Sequence, residues 1–426
     1  MRSWVDRDSA VVWHGFTQME CYADNAPIIV ERAQGCELID VNGRHYLDAI
    51  SSLWVTTLGH RVPELDRALR EQLDRVAHAT LLGNGSRIVI EFAEALARVV
   101  PVDNAHMLFA SDGACAVEQA LKMAFQYWTN IGVSGRNLYL AFGAGYHGDT
   151  MGSLSVGGGG FGTEIFEPLR FPVLRAPSFA DPHALRAAAD IVREHRSRLA
   201  AVVVEPLVQG AAGMLIANVA DFAQLQKTCR ECEVLLICDE VATGFGRTGT
   251  LFASEQCGLR PDILCLGKGI TGGYLPMSAT VASQSVFDTF RGPDLSEKTF
   301  YHGHSYGGNA LAAAVALKHL ELIQAPEVLA NVRARSMQLH AALDGKIKAH
   351  RAVTDIRLCG LMGAVELDTS RDRKLARRVA SAMVKRGVLS RSMGNVITLV
   401  PPLTITHDEI ARMVAALDAS LTECAP

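Results

Sequence analysis

Between about residues 105 and 285, short runs of apolar and β-branched residues alternate with stretches whose apolar positions recur every three or four residues. That order is expected of a parallel sheet covered by helices. HMLFA, His106 to Ala110, leads into a helix predicted from about Cys115 to Trp128, with Val117, Ala120, Leu121, Ala124 and Trp128 on one face. NLYLAF, LAAVVVEP, VLLICDE, DILCLG and SATVAS come next, apolar on both faces as buried parallel strands are. The pattern predicts an α/β core. After it, NALAAAVALKHLELI, Asn309 to Ile323, carries so few charges that it reads as a largely buried helix. From about residue 326 the texture changes to mixed-charge helices and a hairpin, RGVLSRSMGNVITLVPP, with turn chemistry at M-G-N. That texture predicts a second, smaller α+β domain.

Composition narrows this picture without redirecting it. The 426 residues are 49% hydrophobic and 20% charged, enough for a large core and two packed units. A net charge of −4 with no block of one sign suggests neither nucleic acid nor a membrane surface as partner. The start, MRSWVDRDSAVVWHGF, lacks a continuous apolar run, and no span reaches membrane-crossing length unbroken, so a soluble, cytoplasmic protein is expected. Ten cysteines are scattered, several in apolar runs. Cys229 and Cys232 form a lone C-x-x-C, and zinc would want a second such pair. GGGGFG, Gly157 to Gly162, spells G-x-G-x-x-G, but Pro168 and Pro172 break the helix that a dinucleotide site would need next, so it reads as a loop.

Chemistry is sought where the strands end, because ligands of open α/β sheets bind beyond the carboxyl ends. VLLIC ends in Asp239-Glu240, AAVVV in Glu205, LYLAF near Gly145-Tyr146-His147, and ILCLG in Lys268. Lys268 is the only charged residue from Ile263 to Phe287. An amine between apolar walls loses hydration, which frees it as a nucleophile toward a carbonyl. A lysine that snorkels to water fits the same local sequence, so both readings stay open at this point. A strand-end carboxylate can likewise cap the next helix. Asp239 tips the balance, since a pyridoxal-phosphate enzyme needs a lysine for the aldehyde and a carboxylate for the pyridine nitrogen. Val241, two residues on along an extended chain, is expected to pack on one ring face and Tyr146 on the other. Gly113 and Ala114, at the strand-to-helix turn, offer backbone N–H groups to a phosphate. Gly303, His304 and Ser305, before the Ala-rich helix, are a second candidate; two histidines there complete no metal set.

DEVATGFGRTG followed by PDILCLGKGITGG resembles the signature of the class III, fold-type I pyridoxal-phosphate aminotransferases. VWHGFTQM, GYHGDTMGSLSV, EPLVQGAAGM, FYHGHSYGGNA and RSMGNVITLVPPL extend the resemblance from about Trp13 to Pro402, toward the branch acting in biotin synthesis on 8-amino-7-oxononanoate. The resemblance implies pyridoxal 5'-phosphate held by Lys268 as a Schiff base, with Asp239 at the ring nitrogen, Tyr146 stacked on the ring, and Gly113 and Ala114 at the phosphate. Glu205 and Val241 would complete that shell. His304 and Ser305 would reach the phosphate of a neighbouring subunit, which implies a homodimer with shared sites. Arg391 matches the arginine that holds the substrate carboxylate, as its fork geometry suits, and Phe16, Leu53, Trp54 and Gly303 would surround substrate. Residues 1–55 would pack with the small domain of residues 326–426, and residues 56–325 would form the large cofactor-binding domain.

Departures matter too. Gly15-Phe16-Thr17 and Ser52-Leu53-Trp54 stand where well-known members have Pro-Tyr-Thr and Ser-Trp-Trp, removing a hydroxyl and an indole. That leaves the amino donor open between S-adenosylmethionine and lysine, the latter used by a subgroup similar at these positions. Asp112-Gly113-Ala114-Cys115 lacks a hydroxyl usual at the phosphate. Two alternatives are another class III transaminase for an ω-amino acid or diamine, and an inactive small-molecule-binding protein of the same fold.

Overall fold

The computed structural model describes residues 3–25, 27–160 and 162–425; Met1, Arg2 and Phe161, which belong to the amino-terminal and glycine-rich stretches quoted above, lie outside them. β1 (Val30–Gln34), β2 (Glu37–Asp40) and β3 (His45–Asp48) form an antiparallel meander. The next strands are β4 (His106–Ala110), β5 (Leu138–Phe142), β6 (Leu174–Ala176), β7 (Leu199–Val204), a small hairpin of β8 (Val208–Gln209) and β9 (Leu215–Ile216), then β10 (Leu235–Asp239), β11 (Ile263–Leu266) and β12 (Ser278–Ala282). Without the hairpin they make one seven-stranded sheet, ordered β4-β12-β11-β10-β7-β5-β6. Every residue of β7, β10, β11 and β12 is buried, as the two-faced apolar runs require.

β12 corrects one expectation: SATVAS runs antiparallel to both β11 and β4. Residues 267–277 hold only a 3-10 turn, and a parallel return would need a crossover of a dozen or more residues, usually a helix. Consequently β4, β5, β7, β10 and β11 all deliver their carboxyl ends to one edge.

The helix after β4 spans Gly113–Asn130 and buries Val117, Ala120, Leu121, Ala124 and Trp128, the predicted face. It begins earlier than its apolar periodicity suggested because Asp112 caps it, accepting the Cys115 N–H at 2.9 Å. Helix Ala310–Ile323 is buried along most of its length and packs against helices Pro63–Leu73 and Arg87–Ala97. The C-terminal sheet is antiparallel, ordered β13 (Val353–Cys359), β14 (Met362–Leu367), then β17 (Val396–Leu399) and β16 (Arg391–Met393); β15 (Val388–Leu389) leaves it to pair in parallel with β3. The expected hairpin is β16–β17, turning at Gly394-Asn395 with Gly394 at φ 57°. Cys229 and Cys232 are buried core side chains. Among the described residues no helix is long and apolar enough to cross a membrane.

Candidate active site

Lys268 follows β11 by two residues and opens the 3-10 turn Lys268–Thr271 with φ 41°. It is one wall of a cavity of about 440 Å³ that Glu205, Asp239, Tyr146 and the turn Asp112-Gly113-Ala114 also line. A larger hollow of about 1010 Å³ lies at the opposite, amino end of β5, beside Leu138 and Tyr139, away from these strand ends. The approach of the elements around Lys268 depends on glycine. A Cβ on Gly113 would sit 2.5 Å from Val241 Cγ1, and one on Gly267 would sit 3.2 Å from the same methyl.

Protonation inside this edge is displaced. Burial lowers the Lys268 pKa, with Asp239 and Glu205 pulling the other way. Glu205 accepts N–H groups from Tyr146 at 3.2 Å and Gly210 at 3.1 Å, yet burial, with Asp239 adding to it, pushes its carboxyl up to about 7. His147 Nδ1 lies 2.7 Å from Asp239 Oδ2. Burial opposes a charge on His147, but the Asp239 carboxylate outweighs it and raises the pKa. Glu240, next to Asp239, points elsewhere: it accepts the N–H groups of Ala253 at 2.6 Å and Ser254 at 2.8 Å. The helix-capping alternative therefore describes Glu240 and not Asp239.

Val241 reaches the cavity by a route the sequence did not suggest. The chain turns after Asp239, and the Val241 N–H bonds to Asp239 Oδ1 at 3.0 Å, so a turn and not strand alternation brings the two together. Tyr146 lines the cavity and its hydroxyl donates to Asp149 Oδ2 at 2.9 Å; burial and that carboxylate raise its pKa. Trp54, almost fully buried, places its ring centre 5.1 Å from Lys268 Nζ. It closes a turn in which Ser51, Ser52, Leu53 and Trp54 all have positive φ, a conformation costing roughly 1–2 kcal/mol per residue.

None of the other candidates lines this cavity in the single chain. His304 Nε2 lies 3.0 Å from Ser111 Oγ, beside the Gly113 turn, while Gly303 and His304 border a separate hollow with Leu81 and Leu82. Ser305 is exposed, its carbonyl 2.8 Å from His78 Nε2. Phe16 and Leu53 are 63% and 47% exposed. Arg391 is exposed on β16, its carbonyl accepting the Thr398 hydroxyl at 3.0 Å. Sequence reasoning passed over His147 as a site residue, although its position beside Tyr146 at a strand end was a usable signal. It also missed Asp112 as a capping side chain, and no apolar periodicity marks a cap.

The residues present fit pyridoxal 5'-phosphate. A desolvated amine with a lowered pKa faces a histidine-braced carboxylate across a cavity of suitable size. The Gly113 and Ala114 amides open an 18-residue helix at its rim. Among the described residues no group of three or more His, Cys, Asp or Glu side chains could hold a metal.

An α/β fold with this edge is that of a fold-type I pyridoxal-phosphate enzyme, and its relatives make it a transaminase. The chain belongs to the class III aminotransferase family, whose model, Aminotransferase class-III, matches residues 19–421. It is 43% identical over 433 residues to the adenosylmethionine-8-amino-7-oxononanoate aminotransferase of Nitratidesulfovibrio vulgaris, covering 96% of this chain and 79% of that protein. The enzyme of the same name from Staphylococcus aureus is 38% identical, with 96% and 95% covered. The solved structure of the Methanocaldococcus jannaschii adenosylmethionine-8-amino-7-oxononanoate aminotransferase superposes with a TM-score of 0.95 at 37% identity over 99% of both chains. An amine transaminase from an uncultivated Pseudomonas species, solved with pyridoxal phosphate bound, gives 0.90 at 33% identity over 97% of this chain and 99% of that one.

Proposed function

We propose that this transaminase converts 8-amino-7-oxononanoate to 7,8-diaminononanoate in biotin synthesis. The observation that carries the reading is the near-full-length similarity to enzymes named for that ketone substrate, joined to an intact Lys268 and Asp239 pair at one sheet edge. When bound, pyridoxal 5'-phosphate supplies an aldehyde that captures amines and a ring that takes up an electron pair left on carbon. Lys268 Nζ would hold the aldehyde at rest and, once displaced by the donor amine, move a proton between carbon atoms as base and then acid. Burial lowers its pKa, which favours the neutral amine that task needs. Asp239 would keep the ring nitrogen protonated, with His147 at 2.7 Å fixing its orientation. Gly113 and Ala114 would meet the phosphate, Tyr146 and Val241 the ring, and Glu205 the polar edge. Trp54 would keep water from the amine. Arg391 would hold the substrate carboxylate, and Phe16, Leu53 and Gly303 would bound the substrate.

His304 and Ser305 stand outside this chain's own cavity, which supports their reaching that of a second copy in a homodimer. Exposed Leu82, Tyr301 and Tyr306 supply apolar surface for such contact. Residues 56–325 are then the large domain, and residues 1–55 join the small domain of 326–426, in keeping with the β3–β15 pairing. Ten free cysteines suit the cytoplasm.

The donor is S-adenosylmethionine or lysine, and the exposed Phe16 and Leu53, lacking hydroxyl and indole, favour examining lysine as a second reading. Mixing cofactor-loaded protein with each amine separately, and following loss of visible absorption, tests it. Loss with S-adenosylmethionine alone makes Phe16 and Leu53 tolerated variation; loss with lysine alone makes them the donor switch. Loss with neither, or no turnover of 8-amino-7-oxononanoate, moves the assignment to an ω-amino acid or diamine.

A further inference from the structure

Four consecutive residues with side chains, Ser51, Ser52, Leu53 and Trp54, hold φ of 48°, 47°, 73° and 69°. Such a run persists only where its surroundings over-determine it, and strain of this kind gathers at functional sites. The surroundings converge on Asp48, fully buried at the end of β3. Asp48 Oδ1 accepts the N–H groups of Ser52 at 3.0 Å and Ile50 at 3.4 Å. Its Oδ2 accepts the Ser52 hydroxyl at 2.9 Å and lies 3.0 Å from His60 Nε2. Beneath the turn, the Ser51 hydroxyl donates to the Val400 carbonyl at 2.6 Å, and Arg247 reaches the Pro401 carbonyl and, at 3.4 Å, Ser51 Oγ.

What the turn delivers at its far end is an indole. The Trp54 ring lies over Lys268, and Gly210 approaches it so closely that a Cβ there would meet Trp54 Cζ3 at 3.1 Å. Returning any of these residues to negative φ would swing Trp54 to a new direction, so the strained conformation and the placement of the ring are one property.

We propose that Asp48 is a positioning residue of the active site, holding the left-handed Ser51–Trp54 turn so that the Trp54 indole stays over the Lys268 amine. Asp48 does not line the cavity and acts only through the turn. The inference rests on Lys268 being the reactive amine.

The test is a double-mutant cycle of Asp48→Asn and Trp54→Ala in the cofactor-loaded protein, reading kcat/KM and the pH midpoint of the visible absorption. Asp48→Asn is expected to lower kcat/KM about tenfold alone and less than about twofold in the Trp54→Ala background. The midpoint should shift in the same direction in both single variants and no further in the double. Equal losses in the two backgrounds overturn the proposal. If Asp48→Asn fails to fold, Ser52→Ala enters the same cycle with about a threefold loss, and additivity overturns the proposal again. A Lys268→Ala protein that still couples covalently to the cofactor removes the Lys268 reading and this inference with it. Coupling through Lys268 together with an additive cycle removes the role of Asp48 alone.

Discussion

Two clusters of buried charge lie close together in this molecule and are built on opposite terms. Around the cavity, His147, Glu205, Asp239 and Lys268 hold displaced protonation: the amine is lowered, the Glu205 carboxyl stands at about 7, and the imidazole is raised. Beneath the Ser51–Trp54 turn, both oxygens of Asp48 are taken by donors and Arg247 bridges to Pro401 and Ser51. Burial lowers the Arg247 pKa only to about 10, so it stays charged at neutral pH. Buried charge that is fully bonded fixes a shape, whereas buried charge imperfectly matched beside open space can exchange protons.

The hardest blow to that comparison would come from Lys268→Ala. A group that both anchors the cofactor and carries protons should cost about 10⁴-fold in kcat when removed, the upper end for a proton-transferring side chain, measured with saturating substrates at constant pH. Full turnover would demote Lys268 to structure and leave only Glu205 and His147 to set the cavity cluster apart. Arg247→Met attacks the other side. It leaves the Pro401 carbonyl and the Ser51 hydroxyl without the guanidinium they meet and removes a buried cation that acts on Asp48 only through space, so it should cost about 1–3 kcal/mol in stability, read from the urea midpoint of the cofactor-free protein. An unchanged midpoint would mean that the bonded cluster does not need its charge.

Legibility in the sequence follows the same division. Lys268, Asp239, Glu205 and Tyr146 could be read because each lies at or just beyond the carboxyl end of a strand, and a parallel sheet sends those ends to one edge. The link between His147 and Asp239 spans 92 positions, and nothing local announces it. The bonded cluster is more distant still, with the Ser51 to Val400 contact spanning 349 positions. Its positive φ values fall on serine, leucine and tryptophan, which local propensity would never assign there. The direction of β12 was misread because buried strands look alike in composition whichever way they run; only the shortness of residues 267–277 carried the reversal. Val241 was placed beside Asp239 for the wrong reason, since alternation presumes a strand that had already ended.

Glu205→Gln sharpens the contrast through pH. The Glu205 carboxyl is pushed from 4.5 to about 7 by burial, with Asp239 adding to it and His147 and two backbone N–H groups opposing. Between those values the folded protein keeps a proton that the unfolded chain has released. Stability from this group is therefore complete below about 4.5, falls as pH rises through about 7, and is flat above. At about 1.4 kcal/mol per unit the full span is about 3 kcal/mol. Glutamine has no such titration, so the urea midpoint of Glu205→Gln should change less between pH 5 and 7.5 than that of the parent protein. Arg247→Met, whose lost charge does not titrate in that window, should keep the parent slope at a lower midpoint. Coincident slopes in the parent and Glu205→Gln would mean that Glu205 ionises as it does in water. The distinction between the cavity cluster and the one beneath the turn would then rest on Lys268 and His147.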